Sequence, residues 1–401
     1  MSSKPDPASK IQDLRVKETF GGVNPSITDS STYTFSSPKK MAELFEEEIE
    51  GCFLYSRHFN PINKSLCAAL STLEGTESAQ VTASGMGAIT SAILQLCGQG
   101  DEVVSSWTIY GGTYAFFANF LPRFGITVRF VDMTDQQMVA EAITERTKVL
   151  YCESISNPLL EIPNVPELSV LAKARGIALM VDNTFSPYIL SPARHGADIV
   201  AHSMTKFING SSDCVAGAIC STKAFINQVT DINAGACMLL GPVLDSLRSS
   251  SILKNLHTLH LRMRQHSRNA QFIAERLHAE GVTVHYPGLK HHPQHELMKS
   301  MMDESYGFGG MLVIDTVTDE KAGALMSAMQ ENLVGYLAVS LGYFKTLFSA
   351  PASSTSSEIP EEVQKRMGLS HGMVRLSVGL DNDIEQTYDR IQRCLRQVGL
   401  L

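Results

Sequence analysis

The stretch that most constrains this chain is Ala201-His202-Ser203-Met204-Thr205-Lys206, which follows the run Asp198 to Val200 and lies downstream of Val181-Asp182-Asn183-Thr184-Phe185. One apolar run is closed by an aspartate; the other delivers two hydroxyls and a lysine. Residues at the carboxyl ends of adjacent strands in an α/β sheet meet in this way, and ligands of such sheets sit beyond those ends. A lysine amine can condense with an aldehyde if its surroundings favour the uncharged form. Ser203 and Thr205 can reach phosphate oxygens from one turn. Asp182, ionised beside a pyridine nitrogen, would keep that nitrogen protonated and the ring a strong electron sink. The set therefore predicts pyridoxal 5'-phosphate as cofactor. Taken singly, Lys206 would pass for a surface lysine and Asp182 for the start of a turn.

From about Leu66 to Ser203, helical patterns alternate with short apolar runs. Helices are expected over Gly87 to Leu96, Gln136 to Ile143 and Pro166 to Arg175, the last stopped by Gly176. Strands are expected over Glu102 to Ser105, Thr127 to Val131, Val149 to Glu153, Ala178 to Asp182 and Ile199 to His202. Near-continuous apolar strands joined by helices mean a mostly parallel sheet covered on both faces. Thr82-Ala83-Ser84-Gly85-Met86-Gly87 follows a short strand and opens a helix, where backbone N–H groups can approach an anion. Such a glycine-containing start serves tight packing equally often.

With 401 residues, 44% of them hydrophobic and 18% charged, two or more domains are expected. A net charge of -8 gives nucleic acid no basic surface to bind. No apolar run approaches the roughly 20 residues of a membrane span, and Met1 to Lys10 lacks the apolar core of a signal peptide. The cytoplasm is the expected location. Eight scattered cysteines without C-x-x-C spacing read as reduced thiols. His291, His292 and His295 show no metal-ligand spacing and read as a solvated loop; no metal is expected.

Residues 1–60 show few periodic elements and end in Tyr55-Ser56-Arg57-His58-Phe59-Asn60, which suggests an arm that packs on something else. A cofactor-binding domain is expected over 61–245 and a smaller α+β domain over 246–401. A long helical stretch from Pro242 to His278 leads into the latter, which has strands over Val282 to Tyr286, Met311 to Asp315 and Val374 to Val378. Ser349 to Ser357 is rich in small residues, as either a linker or a site-facing segment would be.

The motifs Tyr55-Ser56-Arg57, Ser84-Gly85-Met86-Gly87, Tyr110-Gly111-Gly112-Thr113, Asn157-Pro158, Val181-Asp182-Asn183-Thr184, Ser203-Met204-Thr205-Lys206 and Val374-Arg375-Leu376-Ser377-Val378-Gly379 occur in order over about residues 50 to 385. Together they resemble the cysteine/methionine-metabolism family of pyridoxal-phosphate enzymes. The resemblance implies fold type I, like aspartate aminotransferase, and a homo-oligomer, a tetramer built from catalytic dimers. It implies that Lys206 holds the cofactor covalently and later moves protons, and that Asp182 pairs with the pyridine nitrogen. Gly85, Met86, Ser203 and Thr205 would bind the phosphate, joined by Tyr55 and Arg57 of a neighbouring subunit. Tyr110 would stack on the ring and act in acid-base chemistry. Arg375 would grip the substrate carboxylate, assisted by Asn157 and Ser340; a planar guanidinium matches that group. On the residues alone, Tyr110 could be an ordinary loop aromatic, Arg57 merely interfacial, and Arg375 a structural partner of Asp381 or Asp383.

Within that family the expected reaction is γ-elimination on a sulfur amino acid, with methionine giving methanethiol, ammonia and 2-oxobutanoate. In relatives acting on cystathionine an acidic residue tends to stand at the place of Val339, facing the distal polar end of the substrate; an apolar valine suits a methylthio group. The segment Ser340 to Ser357, with Ser353-Ser354-Thr355-Ser356-Ser357-Glu358 and His292-Pro293-Gln294-His295, resembles a plant-type, methionine-cleaving branch. Departures from the family pattern are Gly112 in place of a cysteine, Ser356 in place of a histidine, and Gly210-Ser211-Ser212-Asp213 after the lysine. The alternatives are γ-replacement on an O-acyl-homoserine, cystathionine γ-cleavage, and a non-catalytic cofactor-binding protein. Retention of Lys206, Tyr110 and Arg375 speaks against the last.

Overall fold

A computed structural model describes residues 6–14, 21–46, 51–354 and 359–401. Its larger sheet has seven strands: β1 (Ser78–Thr82), β2 (Glu102–Ser106), β3 (Thr127–Val131), β4 (Thr147–Glu153), β5 (Ala178–Asp182), β6 (Ile199–Ser203) and β7 (Gly217–Ser221). They lie in the order β1-β7-β6-β5-β4-β2-β3. The run β6-β5-β4-β2-β3 is parallel, while β7 runs antiparallel to both β6 and β1. The link from β6 to β7, residues 204–216, contains no helix. Parallel strands are usually joined by a crossover helix, which this link does not supply. Strand β7 was not expected, because Gly217-Ala218-Ile219-Cys220-Ser221 has one β-branched residue and no alternation.

The central strands β2 and β5 are buried almost throughout, as both faces are covered. Val81, Val104, Leu150, Val181 and Val200 face one core; Val103, Tyr151, Met180, Ile199 and Ala201 face the other. The flanking helices start and stop on local signals. Helix Pro61–Glu74 has Asn60 accepting the Ile62 N–H, proline at its first position and Gly75 in the left-handed conformation at its end. Helix Val165–Arg175 likewise stops at left-handed Gly176.

The second sheet has five strands, β8 (Val284–His285), β9 (Met311–Asp315), β10 (Gly335–Leu337), β11 (Thr346–Ser349) and β12 (Met373–Ser377), in the order β10-β11-β12-β9-β8. Its core combines Leu312, Ile314, Val374 and Leu376 with Ile391 and Leu395 of the C-terminal helix. The expected strand Val282 to Tyr286 shrinks to β8. The expected stretch from Pro242 to His278 divides into helices Ser246–Leu256 and Leu259–Ala279, and Pro242 to Asp245 lies outside both.

Helix Leu259–Ala279 joins the two units. Leu259 and Met263 belong to the core of the large sheet, whereas Ala270, Ile273 and Leu277 belong to that of the second. The stretch before residue 60 is not wholly an outlying arm. Helix Pro7–Gln12 is capped by Asp6, buries Ala8 and Ile11 in the main core, and receives the Tyr306 hydroxyl on Asp6 Oδ1 at 3.0 Å. Among the described residues no helix is long and apolar enough to cross a membrane.

Candidate active site

Beyond the carboxyl ends of β4, β5 and β6 lies a cavity of about 270 Å³. It gathers Gly85, Met86, Tyr110, Asn157, Asp182, Ser203, Thr205, Lys206, Val339 and Arg375 from seven separate stretches of chain. Ser340 borders it through its hydroxyl, 3.1 Å from Lys206 Nζ.

Its floor is the start of helix Gly85–Leu96. Ser84 caps this helix by accepting the Gly87 N–H at 2.9 Å, and its carbonyl takes the Ala88 N–H. Gly85 and Met86 occupy the first two helical positions, whose N–H groups have no acceptor within the helix. With the helix dipole they form an anion-binding end. The close approach needs glycine: a Cβ on Gly85 would lie 2.8 Å from Ser203 Cβ, and one on Gly217 2.1 Å from the Ser84 carbonyl oxygen. Thr205 Oγ1 accepts the Ala216 N–H at 3.0 Å, which ties the turn after β6 to β7.

Asp182 ends β5 with Oδ1 accepting both the N–H (2.9 Å) and the hydroxyl (2.5 Å) of Thr184. Burial pushes its pKa up, opposed by the two Thr184 bonds and by nearby His202. Its neighbour Asn183 is fixed beneath the sheet by bonds to Glu74 Oε1, to the Leu190 carbonyl and from the Ser154 and Ser186 hydroxyls. Glu74 also meets His202 Nε2 at 2.7 Å. The strand end therefore has little freedom.

Lys206 carries the cavity's amine, which donates to Ser340 Oγ. Burial, and then the charge of Arg375, lower its pKa from 10.5 to about 8. Its main chain is gripped from two sides. Arg262 donates to the carbonyls of Phe207 (2.5 Å) and Ile208 (2.8 Å), and a Cβ on Gly342 would lie 2.5 Å from the Phe207 nitrogen. Further along the same helix, His266 Nδ1 meets the Val378 carbonyl at 2.6 Å and Asn269 donates to the carbonyls of Gly379 and Asp381. One helix thus holds both the Lys206 turn and the end of β12.

Arg375, on β12, is 3% exposed. Nη1 donates to Asn157 Oδ1 at 2.8 Å and Nη2 to Ser349 Oγ at 3.4 Å. Burial lowers its pKa to about 10. The structural alternatives for it fail: Asp381 pairs with Lys345 and Asp383 caps the C-terminal helix. Ser340, expected beside Arg375, faces the lysine instead. Ser349 is the serine that reaches the guanidinium, because β11 pairs with β12 in the register Ser349↔Arg375. The small-residue segment is accordingly a site wall at its start and not a linker; Thr355 to Glu358, including Ser356, lie outside the described residues.

Tyr55 and Arg57 are not in this cavity. Arg57 donates to the Met238 carbonyl at 2.9 Å and lies over the Tyr55 ring. His292 and His295 are buried, not solvated: His295 Nδ1 meets the Pro287 carbonyl at 2.8 Å and its ring stacks on Phe308, while His291 stacks on His278. The sequence reading also passed over Glu153, a second carboxylate lining the cavity. Register pairs it with Asp182 across β4 and β5, and that strand-end coincidence was the one signal for it.

These residues fit pyridoxal 5'-phosphate. The anion end at Gly85 and Met86, the amine of Lys206 and the carboxylate of Asp182 provide for its phosphate, its aldehyde and its ring nitrogen.

A model of the family described as Cys/Met metabolism PLP-dependent enzyme matches residues 9–395. A methionine gamma-lyase of Arabidopsis thaliana is 46% identical over 395 residues, 97% of this chain and 90% of that protein. A cystathionine gamma-lyase of Bacillus subtilis is 36% identical over 384 residues, 95% of this chain and 96% of that one. The solved structure of a putative O-acetylhomoserine (thiol)-lyase from Campylobacter jejuni, which contains N'-pyridoxyl-lysine-5'-monophosphate, superposes with a TM-score of 0.90 at 27% identity, covering 98% of this chain and 100% of that one.

Proposed function

The chain belongs to the Cys/Met metabolism family of PLP-dependent enzymes, and we propose that its reaction is γ-elimination on L-methionine. Methionine and water give methanethiol, ammonia and 2-oxobutanoate. The observation that carries this reading is the apolar lining around the amine, formed by Ile155, Phe185, Val215, Val339 and Leu341. Val339 takes the place where an acidic group would meet a polar substrate tail.

When bound, pyridoxal phosphate supplies an aldehyde that condenses with amines and a ring that spreads the negative charge left at the substrate Cα. The protein does the rest. Arg375 binds the substrate carboxylate, with its fork oriented by Asn157 and Ser349. Lys206 would hold the cofactor, and its Nζ is the group placed to take the Cα proton, a role suited to an amine with lowered pKa. Ser340 Oγ orients that amine. Asp182 would pair with the cofactor's ring nitrogen and keep it protonated, and Gly85, Met86, Ser203 and Thr205 would hold its phosphate. Tyr110, at the mouth, would lie against the ring and move a proton to the departing sulfur.

Tyr55 and Arg57 reach the phosphate of a neighbouring subunit in this reading. A cavity of about 480 Å³ lined by Ala83, Thr205, Val243 and Arg248 opens beside the first and leaves room for them. The assembly is a homotetramer of catalytic dimers. In each subunit residues 1–60 serve as the arm, 61–245 as the cofactor domain and 246–401 as the C-terminal domain. The eight unpaired cysteines favour a reducing compartment, the cytoplasm.

The likeness to an O-acetylhomoserine (thiol)-lyase favours a second reading, γ-replacement by a thiol on an O-acyl-homoserine. Product analysis separates the two, with methionine, cystathionine and O-acetylhomoserine as substrates, the last with and without a thiol. Methanethiol and 2-oxobutanoate from methionine support elimination. Slow methionine turnover with rapid thiol-dependent formation of a new amino acid would replace it by the transferase.

A further inference from the structure

Glu153 ends β4 inside the cavity and has no part in the chemistry described above. It is 6% exposed, and each of its oxygens has its own backbone partner: Oε1 accepts the Tyr110 N–H at 2.7 Å and Oε2 the Asn157 N–H at 2.8 Å. The two donors come from different loops, one after β2 and one after β4. The first carries the phenol at the mouth of the cavity; the second carries the amide that holds Arg375 Nη1. Burying a carboxylate is costly unless it is bonded, and here a second carboxylate is close. Burial, with Asp182 adding to it, pushes Glu153 up from the usual range, while the two N–H donors and Arg375 pull it down. An apolar side chain would fill the space without that cost. The carboxylate is therefore present for what it bonds.

We propose that Glu153 is a positioning residue that pins the main chains of Tyr110 and Asn157 to one side chain, and so fixes the spacing between the proton-moving phenol and the carboxylate clamp. This rests on the roles given to Tyr110 and Asn157 above. The chemistry of the side chain is specific, since a carboxylate offers two acceptors. Glutamine of the same shape offers one acceptor and an NH2 group, so one backbone N–H would face another donor. Aspartate keeps both acceptors at a shorter reach.

The test compares Glu153→Gln and Glu153→Asp as cofactor-loaded proteins. Backbone hydrogen exchange in the segments 107–114 and 154–160 is read beside kcat and KM. Glu153→Gln is expected to speed exchange at least fivefold in one of the two segments and to lower kcat/KM at least tenfold. The loss falls on KM where segment 154–160 is released and on kcat where segment 107–114 is released. Glu153→Asp is expected to lie between Glu153→Gln and the wild type. Glu153→Gln that matches the wild type in exchange and kinetics, or outperforms Glu153→Asp, would mean that Glu153 only fills space, and would overturn the proposal. Should Glu153→Gln fail to fold, Glu153→Asp decides: faster exchange in one segment supports the pinning, and wild-type exchange in both refutes it. Tyr110→Phe and Asn157→Ala accompany these variants. If neither alters kcat or KM, the site reading falls and the proposal with it; if both do and Glu153→Gln does not, the positioning role alone fails.

Discussion

Arg375 Nη1 donates to Asn157 Oδ1 across 2.8 Å, which joins a strand of the second sheet to a loop of the first. Among the described residues no carboxylate lies within ion-pair distance of this guanidinium, although the side chain is buried. The carboxylate of Glu153 acts on it electrostatically from beyond that distance, and an incoming amino acid's carboxylate would pair with it directly. Hydrogen bonds to charged groups contribute about 1.5–3 kcal/mol, roughly 10- to 150-fold in affinity. Arg375→Lys keeps the charge but loses the planar fork. It is expected to raise KM for methionine by that factor while kcat changes less. Steady-state kinetics check this, and an unchanged KM would remove Arg375 as the clamp.

The lowered pKa of Lys206 sets a pH dependence. Burial and Arg375 bring the ammonium to about 8, so the amine is neutral above that value rather than above 10.5. Uptake of pyridoxal phosphate by cofactor-free protein, followed by absorbance, is expected to quicken with rising pH and to level off above about 8. A rate still climbing to pH 10 would show an ordinary, solvated lysine.

Val339 is 65% exposed at the mouth, so a charge placed there need not be buried. Val339→Glu should lower kcat/KM for methionine at least tenfold and raise it for cystathionine, whose far end carries an ammonium group. Parallel kinetics on the two substrates read this directly, and no change in their ratio would remove Val339 from the substrate's path.

His266 contributes to acid stability. Burial pushes it down from 6.5 to about 4, and only partly does the Val378 carbonyl oppose this. The folded protein thus binds this proton less readily than the unfolded chain. Its contribution is fully present above about pH 6.5 and is lost as pH falls toward 4. A shift of this size corresponds to about 3 kcal/mol. His266→Gln, if it folds, should show a flatter decline of unfolding free energy between pH 6.5 and 4 in denaturant titrations; a slope equal to wild type would contradict the assignment.

Gly342 has φ +80° and its missing side chain faces the Lys206–Phe207 peptide. Left-handed backbone costs a non-glycine residue about 1–2 kcal/mol, and the clash adds to that. Gly342→Ala should lower the melting temperature and weaken cofactor retention on dialysis. Unaltered retention would show that the peptide can move without consequence.

Much of this architecture was legible because local signals agree with the fold. Thr127–Val131 and Ala178–Asp182 fall where apolar patterning places them, and Gly176 ends its helix as its conformational freedom allows. Asp182 and Lys206 were found because each stands at the close of a strand-like run. Glu153 stands in the same position yet reads as a strand terminator, since nothing local says that both of its oxygens turn inward. Choosing between Ser340 and Ser349 as the neighbour of Arg375 needs the β11–β12 register, which joins segments distant in the chain. His292 and His295 read as loop residues because their burial depends on partners such as Phe308. Strand β7 eluded patterning because small residues, packed between two strands, carry no period.

Arg262, His266 and Asn269 stand on successive turns of one helix, about 10 Å of rise from first to last. The first grips the turn of Lys206 and the other two the end of the Arg375 strand. The helix acts as a gauge block between amine and guanidinium. An incoming amino acid meets a slot whose width is already machined, so its Cα and carboxylate have one seat whatever the side chain. Selection among substrates then falls to the outer rim, where residues can change without resetting the slot.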